Sequence, residues 1–120
     1  MARQISFRAK DFHSNWVYGD LNMLSNIPYI RTDIRQEYAI NTNTIGQFTG
    51  LKDKNDKDIY EGDIVTKYGT KYICIWKDKY ACFVFAEEDE NGEYNYFQEC
   101  DKEELKVIGN IYDNPELLNN

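Results

Sequence analysis

Hydrophobic and polar positions along the chain follow the pattern of short strands separated by turns. Over residues 3–9, apolar and polar side chains alternate, which predicts a first strand. A polar turn at residues 11–15 leads to a second strand, which begins at Trp16-Val17-Tyr18 and is closed by Gly19-Asp20. The two strands predict an opening β-hairpin.

The next segment, residues 21–46, has the least regular pattern. Short strands are expected at residues 29–34 and 38–40, with Pro28 marking a boundary. Residues 41–44 are rich in turn-forming Asn and Thr.

From residue 45 onward the alternation is clearer and predicts a series of strands. They are expected at residues 48–51, 64–68, 71–76, 80–86, 94–97 and 107–111. Both faces of the segment 71–76 are apolar, which indicates a central strand. The dipeptide Asn91-Gly92 predicts a hairpin turn. Single helical turns are expected at residues 101–104, from capping-box spacing, and at residues 116–118, after Asn114-Pro115.

Short strands with turn signals between them predict a mainly β fold, a small barrel or roll. The length of 120 residues fits one domain, with a soft internal boundary between residues 1–44, a β-hairpin region, and residues 45–120, a barrel region. A hydrophobic content of 42%, with 15% aromatic residues, is sufficient for a core and favours sheet.

The charge balance bears on the choice of partner. The chain carries 14 basic and 21 acidic residues, a net charge of −7, and contains no basic stripe. Direct nucleic-acid binding is therefore not expected, whereas a basic protein partner is electrostatically easier. The main charge feature is the acidic region 87–104. It has two interpretations, a solvated loop and helical turn or a patch that mimics nucleic acid, and charge runs are more often the former.

The N-terminal residues contain no long apolar segment typical of a signal peptide. The longest apolar run, residues 80–86, is far shorter than the ~20 residues of a membrane span. A cytoplasmic protein without membrane contact is expected. The odd set Cys74, Cys82 and Cys100 indicates reduced thiols rather than a disulfide framework.

Candidate catalytic and metal-binding chemistry was tested against the spacing that each kind of site requires. The carboxylates between Asp53 and Asp63 do not fit a calcium loop, since Asp58 stands where glycine is required. The cysteines are too far apart for a structural zinc site. The single histidine, His13, lies in a polar turn, and no partner for it is evident. No catalytic, cofactor-binding or metal-binding residue is predicted.

Three segments of the chain carry a family resemblance: Phe7-Arg8-Ala9 with Trp16-Val17-Tyr18-Gly19-Asp20; Gly46-Gln47-Phe48-Thr49-Gly50-Leu51-Lys52-Asp53-Lys54-Asn55 with Ile59-Tyr60-Glu61-Gly62-Asp63-Ile64-Val65; and Val107-Ile108-Gly109-Asn110-Ile111-Tyr112 with Asn114-Pro115-Glu116-Leu117-Leu118. In this order they resemble the opening, the central signature and the ending of the YopX family of phage and prophage proteins. One departure is Asp56, where the family usually has glycine.

The resemblance implies a phage or prophage origin and a barrel similar to Src-homology-3-like rolls, and it implies no catalytic residues. The central segment also has an architectural interpretation. Gly50 and Gly62 suit unusual backbone angles, and Asp53 and Asp63 suit bonds to nearby amides. A set of apolar residues in this segment would then be core: Ile59, Ile64 and Val65.

Three functions remain open at this point. The leading hypothesis is a non-enzymatic protein-binding or assembly module, for which self-association into a homo-oligomer is one form. The second is an acidic decoy that mimics nucleic acid and occupies a basic host protein. An enzyme of unknown class ranks last.

Overall fold

The protein is mainly β, as predicted. The computed structural model describes residues 5–88, 94–97 and 104–118, which contain eleven strands and short 3₁₀ turns. The strands are β1 (Phe7–Lys10), β2 (Trp16–Leu24), β3 (Ile27–Arg31), β4 (Glu37–Ala39), β5 (Gly46–Lys52), β6 (Asp58–Tyr60), β7 (Asp63–Lys67), β8 (Thr70–Lys77), β9 (Cys82–Glu88), β10 (Tyr94–Phe97) and β11 (Lys106–Asn110). The 3₁₀ turns are Thr42–Thr44, Asp78–Tyr80 and Pro115–Leu118. Within these residues, no helix is both long enough and apolar enough to cross a membrane.

The strands form two sheets, one of six strands in the order β4-β3-β2-β1-β5-β6 and one of five in the order β10-β9-β8-β7-β11. Both orders end in edge strands, so the sheets are open and the predicted closure into a Src-homology-3-like barrel is not confirmed. Local alternation predicts that strands exist. Closure depends on which edge strands pair, and that information is not contained in the local pattern.

The chain divides into two compact units, residues 1–50 and residues 51–120. In the first unit, β1 and β2 form the predicted antiparallel hairpin, with Ala9 opposite Val17. The buried face of this sheet supplies the unit's core, to which β3 adds Ile30 and the residue after β4 adds Ile40. Phe7, Leu21, Tyr38 and Ile45 pack against that core and are partly exposed.

Strand β2 does not end at Gly19-Asp20 as predicted but continues to Leu24. A glycine is needed inside the strand because a Cβ atom there would lie 2.0 Å from the carbonyl oxygen of Arg31, on the neighbouring strand β3. Gly19 therefore permits a close backbone approach within a continuous strand, and the same residue type in the sequence had indicated a turn.

Pro28, predicted to mark a boundary, lies inside β3. Strand β3 pairs with β2 along its whole length, but its pairing with β4 reaches only from Arg31 to Tyr29. Pro28 therefore sits beyond the end of β4, at a point where β3 has a partner strand on one side. A residue without an N–H is tolerated at such a position.

The second unit is built around β8, which is the central strand of its sheet, as its two apolar faces predicted. Cys74 on β8 is fully buried and lies opposite Phe85 on β9. These two side chains share one cluster with residues of β6, β7, β11 and the segment before β11, namely Ile59, Val65, Leu105 and Val107.

The C-terminal segment belongs to this unit. Strand β11 pairs with β7, with a register shift between Val107 and Gly109, and the predicted helical turn near the C-terminus is present as the 3₁₀ turn Pro115–Leu118. The side chain of Lys71 donates a 2.8 Å hydrogen bond to the carbonyl oxygen of Leu117. Residues 101–103 of the other predicted helical turn, and the Asn91-Gly92 turn, lie outside the described residues.

We predict that deletion of residues 107–120 unfolds the protein, because it removes strand β11 together with the buried side chain of Val107. Each large buried side chain contributes ~1.5–3 kcal/mol, against a total stability of only ~5–15 kcal/mol. Removal of the two terminal asparagines, Asn119 and Asn120, is the matched control and should leave the melting temperature unchanged. A soluble fragment ending at Lys106 that melts cooperatively would place β11 outside the core and contradict the prediction.

Candidate functional site

The central segment is organised by one buried carboxylate, that of Asp53, which is 1% exposed. Its Oδ1 accepts hydrogen bonds from the backbone N–H groups of Asn55 and Lys57, at 2.8 and 2.9 Å. Its Oδ2 accepts a hydrogen bond from the backbone N–H of Val107, at 2.9 Å. In addition, the backbone N–H of Lys54 donates to the carbonyl oxygen of Leu105. The side chain thus closes its own turn and binds the start of strand β11, 54 residues away.

The hydrogen bonds determine the ionisation of Asp53. Burial alone would raise the pKa of its carboxyl group, but donation from the backbone N–H groups of Val107, Lys57 and Asn55 outweighs burial, and the positive charge of Lys57 acts in the same direction. The pKa therefore lies below its ordinary value of 3.8. Asp53 is a buried anion held by amide dipoles, which is a structural arrangement.

The turn of Asp56 explains the departure from the family pattern. Asp56 has a φ angle of 62°, in the left-handed region where glycine is most common. Its backbone N–H donates to the carbonyl oxygen of Asp53, at 3.0 Å. Aspartate is among the residues that tolerate this conformation, so the substitution keeps the turn.

The second part of the central segment is a turn around Gly62, between β6 and β7. The backbone N–H of Gly62 donates to the carbonyl oxygen of Cys74, and its own carbonyl oxygen accepts from the N–H of Ile111, at 2.8 and 3.0 Å. The carboxylate of Asp63 accepts a 2.8 Å hydrogen bond from the backbone N–H of Tyr60. Gly62 has a φ angle of 96°, and a Cβ atom there would lie 3.1 Å from the ring of Tyr112.

These contacts agree with the architectural interpretation of the central segment. Gly50 has a φ angle of 89°, so both predicted glycines take positive φ angles, and both predicted aspartates bond to backbone amides. The three residues predicted as core are fully buried: Ile59, Ile64 and Val65.

The closing segment is held in the same manner by Asn110, which is buried at the end of β11. Its Oδ1 accepts hydrogen bonds from the backbone N–H groups of Tyr112 and Asp113, at 3.0 and 2.9 Å. Its backbone N–H donates to Oδ1 of Asn114, at 3.2 Å. The side chain thus closes the turn that follows the last residue of β11.

The residues considered for catalysis or metal binding are dispersed. His13 is exposed in the β1–β2 turn, where its backbone N–H donates to Oδ1 of Asp11. Cys74 is buried and Cys82 partly buried, both as reduced thiols, and Cys100 lies outside the described residues. Among the residues whose placement is described, no group of three or more His, Cys, Asp or Glu side chains is arranged to hold a metal ion.

Most of the acidic region 87–104 lies outside the described residues, but Glu104 does not. Its carboxylate forms an ion pair with Lys67, with an N–O distance of 3.3 Å, and accepts a hydrogen bond from the hydroxyl of Tyr68. This carboxylate therefore joins the start of the C-terminal segment to the β7–β8 hairpin.

The feature that carries a functional interpretation is the tip of the hairpin formed by β2 and β3, which we call the hairpin tip: Met23, Leu24, Ser25, Asn26, Ile27 and Pro28. Leu24 lies opposite Ile27 and Met23 lies opposite Pro28 across the two strands. The exposed fractions of Met23, Leu24 and Ile27 are 61%, 64% and 61%. Three large apolar side chains are thus presented to solvent at one end of a hairpin.

The turn within the hairpin tip explains why it was not predicted. Ser25 and Asn26 have φ angles of 51° and 67°, the combination of a tight two-residue turn of type I′. The usual sequence signal for this turn is Asn-Gly or Asp-Gly, and Ser-Asn is a weaker one. A better signal was available in composition, because residues 21–30 contain no Asp, Glu, Lys, Arg or His.

The fold and the contacts define a mainly β protein of two open antiparallel sheets, whose most distinctive polar residues hold turns and strand ends together. The family model described as YopX protein matches residues 6–119, and the chain belongs to this family. A search of curated proteins found no match.

We predict that Asp53→Asn lowers the free energy of unfolding at pH 7 by about 1–3 kcal/mol. The carboxylate accepts hydrogen bonds from the backbone N–H groups of Asn55, Lys57 and Val107, and a side-chain amide, which has one accepting oxygen, cannot accept all three. The matched control is Asp58→Asn, which weakens the partly exposed ion pair with Lys52 and should cost less than about 1 kcal/mol. Chemical denaturation of both variants measures the difference. Equal losses would show that the Asp53 carboxylate does not hold β11.

The pH dependence of the same pair of proteins tests the ionisation of Asp53. Its pKa is lower in the folded than in the unfolded state, so its contribution is fully present above the unfolded value and is lost as the pH falls through the folded value. The wild type should therefore lose more stability than Asp53→Asn between about pH 5 and pH 2. Parallel curves would contradict a depressed pKa.

We predict that Gly62→Ala destabilises the protein by more than Gly69→Ala. Both glycines have positive φ angles, 96° and 83°, so both substitutions introduce backbone strain of about 1 kcal/mol or more. A Cβ atom at Gly69 meets no other atom within 4 Å, whereas one at Gly62 crowds the ring of Tyr112. Thermal melting of the two variants isolates this contact, and equal shifts would mean that the ring moves away at no cost.

Proposed function

We propose that this protein is a non-enzymatic binding module, encoded by a phage or prophage, that acts through protein–protein contacts in the bacterial cytoplasm. The observation that carries the proposal is the hairpin tip, where Met23, Leu24 and Ile27 are each more than half exposed. Clustered apolar side chains on a surface are characteristic of sites at which another protein binds.

Burial of the hairpin tip against a partner would contribute favourably to the free energy of binding. Removal of a large apolar side chain from water contributes about 1.5–3 kcal/mol when burial is complete. Leu24 and Ile27 are cross-strand neighbours, so one partner surface can cover both at once. Strand pairing up to the two-residue turn of Ser25 and Asn26 already holds Leu24 beside Ile27, which reduces the ordering cost on binding.

We assign no catalytic role to the polar residues of the segments that resemble the family, because these residues have structural roles. The side chains of Asp53, Asp63 and Asn110 each accept hydrogen bonds from backbone amides, and Gly62 meets a backbone requirement. These structural roles are sufficient to explain why the residues occur in the segments that resemble the family. The hairpin tip lies outside those three segments, within residues 6–119 that the family model matches, and its exposed apolar side chains make it the surface on which we place binding.

A second candidate function, the acidic decoy, is favoured by the distribution of charge. Residues 1–50 carry five basic and four acidic residues, a net charge of +1. Residues 51–120 carry nine basic and seventeen acidic residues, a net charge of −8. A basic host protein would be attracted to the second unit by long-range electrostatics, and its binding would weaken as salt screens the charges.

Capture from a bacterial lysate that also contains the untagged chain, compared between matched variants, tests the proposal. Immobilised wild type is compared with the double variant Leu24→Asp and Ile27→Asp, at about 0.1 M and about 1 M salt, where the Debye length falls from about 10 Å to about 3 Å. We expect specific proteins to be retained by the wild type at both salt concentrations and lost from the double variant, because apolar contacts are weakly screened.

The control is Ile34→Asp, which alters another exposed apolar side chain of the first unit, 70% exposed in the turn that follows β3. This turn lies at the end of β3 opposite the hairpin tip, about 17 Å away along the strand. Ile34→Asp should capture the same proteins as the wild type. Capture that is unaffected by the double variant would contradict the proposal, and capture that is lost at high salt in all three proteins would favour the decoy.

A further inference from the structure

We infer that the partner of the hairpin tip is the hairpin tip of a second copy of this chain, in a two-fold symmetric contact. The inference rests on the proposed function, since it takes the hairpin tip as the binding surface and names what covers it. Two observations carry it, the composition of the hairpin and the unequal charge of the two units, and the small size of the surface determines how strong the contact is.

The hairpin has an uncharged composition, so it does not repel the same hairpin of a second copy. In a two-fold contact each residue meets the same or a neighbouring residue of the other chain, so any charge on the surface repels itself. Of all residues in the chain 29% are charged, yet the ten residues from 21 to 30 contain none. A surface selected for a charged partner would need complementary charges, whereas an uncharged apolar surface can pair with itself.

The net charges of the two units determine which units of two copies of the chain approach each other most easily. Two second units, each with a net charge of −8, repel, whereas two first units, each with a net charge of +1, scarcely do. The exposed apolar side chains of the hairpin tip, Met23, Leu24 and Ile27, also lie on the first unit. Both effects favour contact between first units.

The size of the surface determines the strength of the contact. A stable dimer buries about 800 Å² on each partner, which is more than six residues at the end of one hairpin supply. The two-fold contact should therefore be weak and depend on protein concentration. The tip is about two residues long on each strand, or about 7 Å. If two tips meet about a two-fold axis, Leu24 of one copy and Leu24 of the other therefore lie within about one Debye length of each other at low salt.

Charge complementation at Leu24 tests this arrangement. Sedimentation velocity is measured over a wide range of concentration for the wild type, for Leu24→Asp, for Leu24→Lys and for an equimolar mixture of the two variants, with Ile34→Asp as the control. We expect the wild type and the control to shift toward twice the monomer mass as concentration rises. Each Leu24 variant alone should stay monomeric, and the mixture should recover dimer that high salt dissolves.

The outcomes separate this inference from the proposed function. A wild type that remains monomeric at every concentration overturns the inference, as does a dimer that both Leu24 variants retain or a mixture that recovers no dimer. Cooperative melting of each variant shows that it is folded, so loss of dimer reports on the contact. If the wild type is monomeric but captures other proteins through the hairpin tip, the proposed function stands and the second copy is excluded.

Discussion

The buried carboxylate of Asp53 is the constraint on which the second unit depends. It accepts hydrogen bonds from its own turn and from Val107, and so joins residues 53–57 to a strand that begins more than 50 residues later. A buried charge is costly unless hydrogen bonds compensate it, and here backbone amides supply the compensation. Once this contact is made, β11 is placed beside β7 and Val107 completes the apolar core.

This constraint separates the residues that hold the fold from those that are free to bind. The side chains of Asp53, Asp63 and Asn110 accept hydrogen bonds from backbone N–H groups, in the segments that resemble the family. The hairpin tip lies between those segments, within residues 6–119 that the family model matches, and Leu24 and Ile27 in it are exposed. The three segments therefore account for turns and strand ends, and recognition is proposed for the hairpin tip between them.

Local features of the fold followed from the sequence, and long-range ones did not. The central position of β8 was predictable because both of its faces are apolar, and the turn bonds of Asp53 were predictable because Asn55 and Lys57 are near in sequence. The bond to Val107 was not, since nothing local indicates a partner 54 residues away. The continuation of β2 through Gly19 depends on the Arg31 carbonyl of another strand, and sheet closure depends on edge pairing; neither is encoded locally.

Backbone amide NMR spectra recorded over a dilution series test the central claim most directly, because they report on the family segments and on the hairpin tip in one experiment. The account predicts that the amide signals of Ser25, Asn26 and Ile27 move with protein concentration, while those of Lys57 and Val107 remain fixed. Movement at Lys57 and Val107, with a hairpin tip that does not respond, would contradict it.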